Sequence, residues 1–483
     1  MPGMLSVSVP RNLIDDLRAR WTLLCSEPPA WFLAFSQLYL SALLLHYGKR
    51  WNEPDITVAL LFLILWAAIK PRRIEPFIIA QFLVLDTTIV DYPRIANHAA
   101  VQMFVALFVI ALAGTAFFRR RVFPYQHVAS ALRGAAVVVY FYVGFHKLNT
   151  GFLNPESSCA NWYHAKLFQS TFNYDGPIEE LLPPIVYGWS PWFVVAAELV
   201  TFALLLHRRT RPFGLCTALP VHLYVSLSGF VDFSSMMHSI LFLFLPIALA
   251  DSPRFQRALS GYRIVAVGIA VVTFYMTSEW SSSVGAVRTF QGVVYDLSVL
   301  ALVAVAVVAL RRAGAHRAND SGGGTKEGGG GSRVRWQYAV FPAMLFVWGA
   351  FPYLGVSTYG SLTMFSNVVT APDYDNHVVI DTETTDLFGL QRDLVQVIDM
   401  EQELAGNFRH NPIGELVTRS EIGHQVTRTM REHDEPLMAF LLEEGEPTYY
   451  EDLRESDYAE WPFGTRWLFF REVDPVGEAR CRW

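Results

Sequence analysis

Charge is scarce in this sequence: Asp, Glu, Lys and Arg make up 17% of 483 residues, against 52% apolar types and a mean hydropathy of +0.27. That scarcity argues against an ordinary water-soluble chain, in which about a quarter of the residues are charged. Cysteine is scarce as well. Four cysteines do not make a disulfide framework, and with no CxxC, HExxH or comparable ligand spacing no metal site is expected. There is no Walker-type loop, no GxSxG and no internal repeat of propeller or solenoid period, and the lack of a half-to-half echo disfavours a repeat-built transporter. Nothing resembles a cleavable signal before the first apolar run, because Arg11, Arg18 and Arg20 sit in a polar, amphipathic stretch.

What the chain has in abundance is long apolar runs. A helix needs about 20 mainly apolar residues to cross the hydrocarbon core. Such runs lie near 30–48, 55–70, 75–92, 98–118, 128–147, 190–207, 212–229, 233–250, 262–280, 290–310 and 336–355. They predict an α-helical polytopic membrane bundle of about 9–11 transmembrane helices over residues 1–355, followed by a small α+β soluble domain over 356–483.

Alternate loops differ in basic content. With the N-terminus cytoplasmic, the inner side collects Lys70, Arg72, Arg73, Arg119, Arg120, Arg121, Arg208, Arg209, Arg211 and the Arg-rich stretches around 254–263 and 311–335. An odd number of spans then puts the C-terminal domain outside. Residues 313–333 read as a flexible, Gly-rich cytoplasmic loop. On this topology Cys159 and Cys481 both lie outside, so a bridge between them is permitted, two reduced thiols being the alternative.

From Ser366 onward the chain carries 25 acidic residues, 10 Arg and no Lys. Alternating runs at 377–381, 393–399, 437–442 and 467–472 read as strands, and Ser420–Arg431 as a helix capped by Ser420.

Titratable groups inside apolar spans are costly and are functional candidates by default. Asp86, Asp91, His98, His146, Lys147, Glu198, His222, Asp232, His238 and Asp296 fall in the spans or at their outer ends, with Arg133 nearer a cytoplasmic end. A buried Lys has its ammonium disfavoured and becomes a base near neutral pH. The plainer readings are that Lys147 snorkels, that His98 and His222 make helix–helix hydrogen bonds, and that Glu198 pairs with a His or Arg or stays protonated.

Four strings carry a resemblance. YFYVGFHKLNTGFLNPE at 140–156, DYPRIANHAAVQMFVALF at 91–108, PVHLYVSLSGFVDFSSMMHSILFLFLPIAL at 220–249 and YGSLTMFSNVVTAPDYDNHVVI at 359–380 resemble, in order, the lysine, Asn-His, later histidine and exterior-passage segments of vitamin K-dependent gamma-carboxylases. The resemblance extends to microbial proteins sharing their membrane half, the horizontally transferred transmembrane (HTTM) domain. It implies a carbon–carbon lyase and quinol epoxidase that takes reduced vitamin K, or a menaquinol-type quinol, from the lipid bilayer, with oxygen and carbon dioxide as co-substrates. In that family a lysine is the base toward the quinol, dioxygen adds, and a strongly basic alkoxide removes a proton from the gamma carbon of a protein glutamate.

Carried over, Lys147, His98 and His222 are the expected catalytic residues, and Asn97, His146, Glu198 and His377 the expected quinol-binding ones. A glutamate-containing exported protein is the expected partner, and no nucleic acid. Two departures bear on this: His146 stands where the animal enzymes carry a second Lys, and Asn149 where they carry an acidic residue. The exterior domain is also far shorter than theirs, so quinol oxidation is expected more firmly than carboxylation. A proton-coupled transporter and a non-catalytic membrane protein sharing the bundle are the competing expectations.

Overall fold

The computed structural model describes residues 11–48, 54–92, 95–172, 174, 176–245, 252–278, 284–320, 339–408, 410–431, 435–459, 469–475 and 481. In chain order its helices are α1 (Arg11–Leu24), α2 (Ala30–Tyr47), α3 (Pro54–Ile69), α4 (Glu75–Asp91), α5 (Asn97–Phe118), α6 (Tyr125–Phe145), α7 (Thr150–Leu153), α8 (Cys159–Phe172), α9 (Ile178–Leu181) and α10 (Pro184–Leu206). They continue with α11 (Arg211–Leu227), α12 (Val231–Phe242), α13 (Pro253–Ser278), α14 (Val284–Asp320), α15 (Val340–Gly349), α16 (Thr382–Thr385), α17 (Gln402–Ala405) and α18 (Arg419–Thr429). Each of the eleven expected spans finds a helix. Among the described residues, six are long and apolar enough to cross a membrane: Ala30–Tyr47, Asn97–Phe118, Tyr125–Phe145, Pro184–Leu206, Pro253–Thr273 and Thr289–Val308. This is the make-up of a multi-pass membrane protein. Large apolar side chains face outward along these helices, Phe193 at 74% exposure and Ile264 at 77%, as a hydrocarbon solvent requires.

The chain divides into two compact units. The first comprises residues 1–86, 102–136 and 222–342. Its axis is α2, buried along Trp31–Tyr47 and apolar on every side, packed by α3, α12, α13 and α14. Phe32 sits edge-on to Phe35, Phe77, Phe123 and Tyr125, which fixes one end of α2. Arg133 donates from Nε to the Leu243 carbonyl at 2.7 Å, satisfying an acceptor at the end of α12, a structural duty. Of the expected loop at 313–333, residues 313–320 are instead helical and continue α14, and 321–333 lie outside the described residues. AGAHRAND lacks the proline or glycine pair that stops a helix, so α14 runs on.

The second unit comprises residues 87–101, 137–221 and 343–483. Its sheet has strand order β2-β1-β3-β4, all antiparallel, with β1 Leu394–Met400, β2 Leu416–Thr418, β3 Ala439–Glu443 and β4 Glu446–Tyr450. Alternation puts Val395 and Val397 inward. A bulge between Val397 and Asp399 then shifts the period, so Met400 also turns inward. With Leu441, Ala439, Val417, Ile422, Val426 and Leu453 they form one core.

Several sequence expectations are corrected here. The helix cap is Thr418, whose hydroxyl accepts from the Glu421 N–H, while Ser420 lies inside the first turn and hydrogen-bonds to Thr418. Thr418 and Glu421 have the spacing of a capping box, which outcompetes the later serine. Residues 377–381 are not a strand, because the His377 ring accepts the N–H groups of Val379 and Ile380 and curls the chain; only His377 bridges, to Asn149. At 467–472, residues 467–468 lie outside the described set and 469–472 are irregular, the bridge falling instead at Val473 with Leu416. Cys159 and Cys481 form a disulfide, closing a sequence separation of 322 residues.

Glu443 ties the sheet to α18. Its oxygens accept from Tyr450 and Tyr458 at 2.6 Å each and pair with Arg419 at 3.0 Å, while Arg419 lies over the Tyr458 ring. Burial pushes the Glu443 carboxyl up, but the two tyrosine hydroxyls and Arg419 outweigh it and hold its pKa below the usual value. A depressed carboxylate stabilises the fold above its unfolded pKa, and that stability is lost as pH falls through the folded value. Protease resistance of the C-terminal region is therefore expected to fall on acidification below about pH 4.3, and Glu443→Gln to flatten that acid dependence while lowering resistance at neutral pH. An unchanged acid profile in the variant rules this out. Reduction, or Cys481→Ser, is expected to cost roughly 2–4 kcal/mol, read as a lower melting temperature in detergent.

Candidate functional site

The strongest constellation lies in the second unit, just past the end of α6. Lys147 is 2% exposed. Its ammonium donates to both Glu198 oxygens at 2.9 Å and to the Val143 carbonyl at 3.2 Å, so each of its three N–H bonds has an acceptor. The Phe152 ring lies 5.6 Å away. Lys147 is thus not a snorkelling headgroup contact, and the partner of Glu198 is this lysine rather than a His or Arg. Close approach of α10 to α6 makes the meeting possible. A Cβ on Gly144 would stand 2.8 Å from Leu199 and 3.4 Å from the Glu198 Cβ, so a glycine one turn before Lys147 admits the carboxylate helix.

The turn that carries Lys147 is locked. Asn149, fully buried, donates to the His146 carbonyl at 2.7 Å and the Ser366 carbonyl at 2.5 Å, and accepts from the Phe152 N–H at 2.7 Å as the cap of α7. Val378 donates to the Leu148 carbonyl and Thr150 to the Asn376 carbonyl. The Lys147 backbone is therefore preorganised before any substrate arrives.

Facing this turn is the buried loop 360–367, in which Leu362, Phe365 and Asn367 hold positive φ of 63°, 51° and 54°. Non-glycine residues in that region cost of order 1–3 kcal/mol each and persist only where the surroundings over-determine them. Here the determinants are several of the expected site residues. Asn97 Oδ1 accepts from the Thr363 N–H at 3.0 Å, and Trp348 Nε1 donates to the Gly360 carbonyl at 2.8 Å. His146 lies 3.2 Å from the Ser361 carbonyl through Nε2 and 2.7 Å from the Tyr353 hydroxyl through Nδ1. Since a carbonyl only accepts, Nε2 donates to Ser361, and Nδ1 bonds the Tyr353 hydroxyl, so both ring nitrogens of His146 are engaged as a strut.

His377 has the same logic. Nε2 donates to the Phe145 carbonyl at 3.0 Å and Nδ1 accepts two backbone N–H groups. Burial lowers its pKa, against the opposing pull of the Phe145 carbonyl and Asp375. His98 follows Asn97 as the second residue of α5 and is half-buried. His222 belongs to the first unit, where its ring meets Phe233 at 5.2 Å and His238 at 5.6 Å. Lys147 and Glu198 are thus brought together, Asn97 and His146 grip one loop, and His377 closes on Phe145 and Tyr353.

Comparisons with protein-family models, curated proteins and solved structures find no match. Function is then a matter of what these side chains can do. Sequence reading missed Gly144, Phe152 and Tyr353. Gly144 lies in YVGFHK, and a lone glycine among aromatics within an apolar helix is a visible sign of close approach.

An ammonium holding three acceptors has no lone pair to offer. Transfer of one proton to Glu198 gives a neutral amine beside a carboxylic acid, with no charge left unpaired, and the pair can then act as a base. Removing Glu198 alone strands the ammonium: Glu198→Ala is expected to cost roughly 3–5 kcal/mol, whereas the double change Lys147→Met with Glu198→Leu falls close to wild type. Melting temperatures in detergent decide this, and equal loss in the single and double variants refutes the pairing.

Proposed function

We propose that the chain is a membrane-embedded, quinol-dependent enzyme of the gamma-carboxylase-like (HTTM) type, with about 9–11 spans, a cytoplasmic N-terminus and an exterior C-terminal domain. Its substrates on this reading are reduced vitamin K or a related menaquinol-type quinol from the bilayer, with oxygen, and possible further substrates are carbon dioxide and a glutamate-containing exported protein. The observation that carries the reading is the buried Lys147–Glu198 pair. An ion pair placed for stability alone gains little, because desolvation costs several kcal/mol per ion, so one kept in an apolar bundle is a functional candidate first. A weakly acidic quinol hydroxyl needs a base in a dry site, and Lys147 supplies both conditions.

The roles divide as follows. Lys147 takes the hydroxyl proton once Glu198 has received one of its own. Phe152 presents an aromatic face beside the amine, a surface suited to a flat ring. Asn97, His146 and Asn149 hold the loop and turn around it rather than donating to substrate, and His98, half-buried next to Asn97 at the start of α5, is assigned the contact to a quinol oxygen. The quinol, when bound, supplies the oxidisable ring whose reaction with oxygen drives the rest. Its carboxylation half rests on the resemblance alone.

A proton-coupled transporter is the second reading, favoured by the buried His46–Asp232 pair at 3.6 Å and the His238–Asp296 pair at 2.5 Å in the first unit. The deciding experiment supplies purified protein in lipid with reduced vitamin K or menaquinol under oxygen and measures quinone epoxide. Epoxide is expected from wild type, with Lys147→Ala slower by roughly 10²–10⁴-fold. Full activity in Lys147→Ala, or no epoxide from any quinol, sinks the enzyme reading. Labelled bicarbonate with a glutamate peptide tests carboxylation separately.

A further inference from the structure

Within the first unit a guanidinium lies inside an apolar, membrane-length helix with no carboxylate beside it among the described residues. Arg263 stands about 15 Å along α13 from Pro253. Its neighbour Ile264 faces outward at 77% exposure. Arg263 Nε donates to Gln37 Oε1 at 3.1 Å, and its two terminal amino groups have no acceptor among the described residues. An unpaired charge in such a span is costly, which makes it a binding-site candidate by default.

The surroundings form a site. Gln37, Ser41, Ala67, Ala68, Tyr262 and Arg263 line one cavity between α2, α3 and α13, about 240 Å³ in all and narrow enough at its floor for a single water-sized group. Because Gln37 Oε1 accepts from Arg263, the amide is turned so that Nε2, a donor, is left over without an acceptor among the described residues. The Ser41 hydroxyl donates to the Gln37 carbonyl at 3.1 Å. Beside it the Tyr262 hydroxyl is buried, with no hydrogen-bond partner among the described residues. The groups left over can all donate. An anionic oxygen would satisfy them together with the charge, whereas a water would leave the charge unpaired.

Helix direction puts the cavity near a basic end of the unit. Gln37 meets Arg263, and farther along a Cβ on Gly48 would stand 2.4 Å from the Thr273 Cγ2, so α2 and α13 run parallel. A short connection returns α3 from the far end of α2, and α3 brings Ala67 and Ala68 to the cavity in its last turn. Lys70, Arg72 and Arg73 therefore follow α3 out on the side where α13 begins with Arg254 and Arg257, and all are exposed. Glu75 is already paired with Arg73 at 3.1 Å. We propose that this cavity binds the phosphate of an anionic phospholipid, one phosphate oxygen seated on Arg263 and Tyr262 and the head group held by the basic rim. Basic pockets between membrane helices suit such head groups, and the fork of a guanidinium suits a phosphate. A zwitterionic head group brings its own cation to the rim and is disfavoured there.

The test titrates the purified full chain in detergent with phosphatidylglycerol, with phosphatidylcholine of the same acyl chains and with inorganic phosphate, reading bound lipid by native mass spectrometry and the melting temperature in parallel. Phosphatidylglycerol is expected to bind and to raise the melting temperature. Arg263→Gln is expected to weaken that binding roughly 10–100-fold, and Arg263→Lys, which keeps the charge and loses the fork, to recover only part of it. If Arg263→Gln does not fold, the exposed pair Lys70→Gln with Arg72→Gln takes its place, with loss of the preference for phosphatidylglycerol over phosphatidylcholine as the expected result and an unchanged preference as the contrary one. Unchanged phosphatidylglycerol binding in Arg263→Gln, the outcome of a cavity that holds water only, overturns the site. So does equal binding of phosphatidylcholine, or a rise in melting temperature with inorganic phosphate as large as with the lipid at the same concentration.

Discussion

An ammonium in an apolar interior must be paired or it must give up its proton, and the second unit is organised around that constraint. Lys147 meets it with three acceptors, two from one carboxylate. Each supporting feature follows. Gly144 is small because α10 must come close enough to deliver Glu198. Asn149 is buried because the turn carrying Lys147 has carbonyls and N–H groups that water does not reach. The loop 360–367 accepts three left-handed non-glycine residues because Asn97, His146, Asn149 and Trp348 leave it no other course. A charge at the centre and strain at the rim are held by the same hydrogen-bond network, and breaking it at Asn149 would loosen both.

How much of this is legible in the sequence depends on the range of the interaction. Apolar runs report helices directly, because burial in lipid or in the bundle needs only composition along about 20 residues. Hence each expected span finds a helix, even where α12 ends at Phe242, short of its apolar run. Local chemistry is legible when the right competitor is weighed: Thr418 and Glu421 carry the cap, and Ser420 beside them misleads. β2 and β4 are not visible as alternation, since LVT is short and EPTYY is half polar; they exist because β1 and β3 offer them ladders. The meeting of Lys147 with Glu198, 51 residues apart, lies beyond any periodicity. So do the hydrogen bonds by which Asn97 and His146 hold the loop, because a polar residue at a helix end reads the same whether its partner is a ligand or the backbone.

The two compact units use one device twice. In each, a glycine one turn before a charged residue removes the side chain that would hold two helices apart: Gly144 before Lys147, and Gly292 before Asp296. Helices in hydrocarbon gain nothing from excluding lipid tails, so close backbone approach and buried polar contacts must supply their adhesion. A Gly-spaced ionisable residue delivers both at once. The same economy explains why so few charges sit in the apolar half.

The disulfide bears on the exterior question. Cys159 opens α8, and its backbone N–H is held by Asn367 Oδ1 at 3.0 Å, so the bridge to Cys481 anchors the chain's end beside the strained loop. A C-terminal region pinned in this way within its own unit is a fixed wall more than a swinging recognition arm. Carboxylating a protein glutamate needs the side chain delivered into a dry site and then released, which calls for a groove that admits polypeptide. The small core of Val395, Val397, Leu441 and Ile422 is filled by its own sheet and α18. On the proposed reading, that packing favours a small lipid-soluble substrate over a polypeptide one.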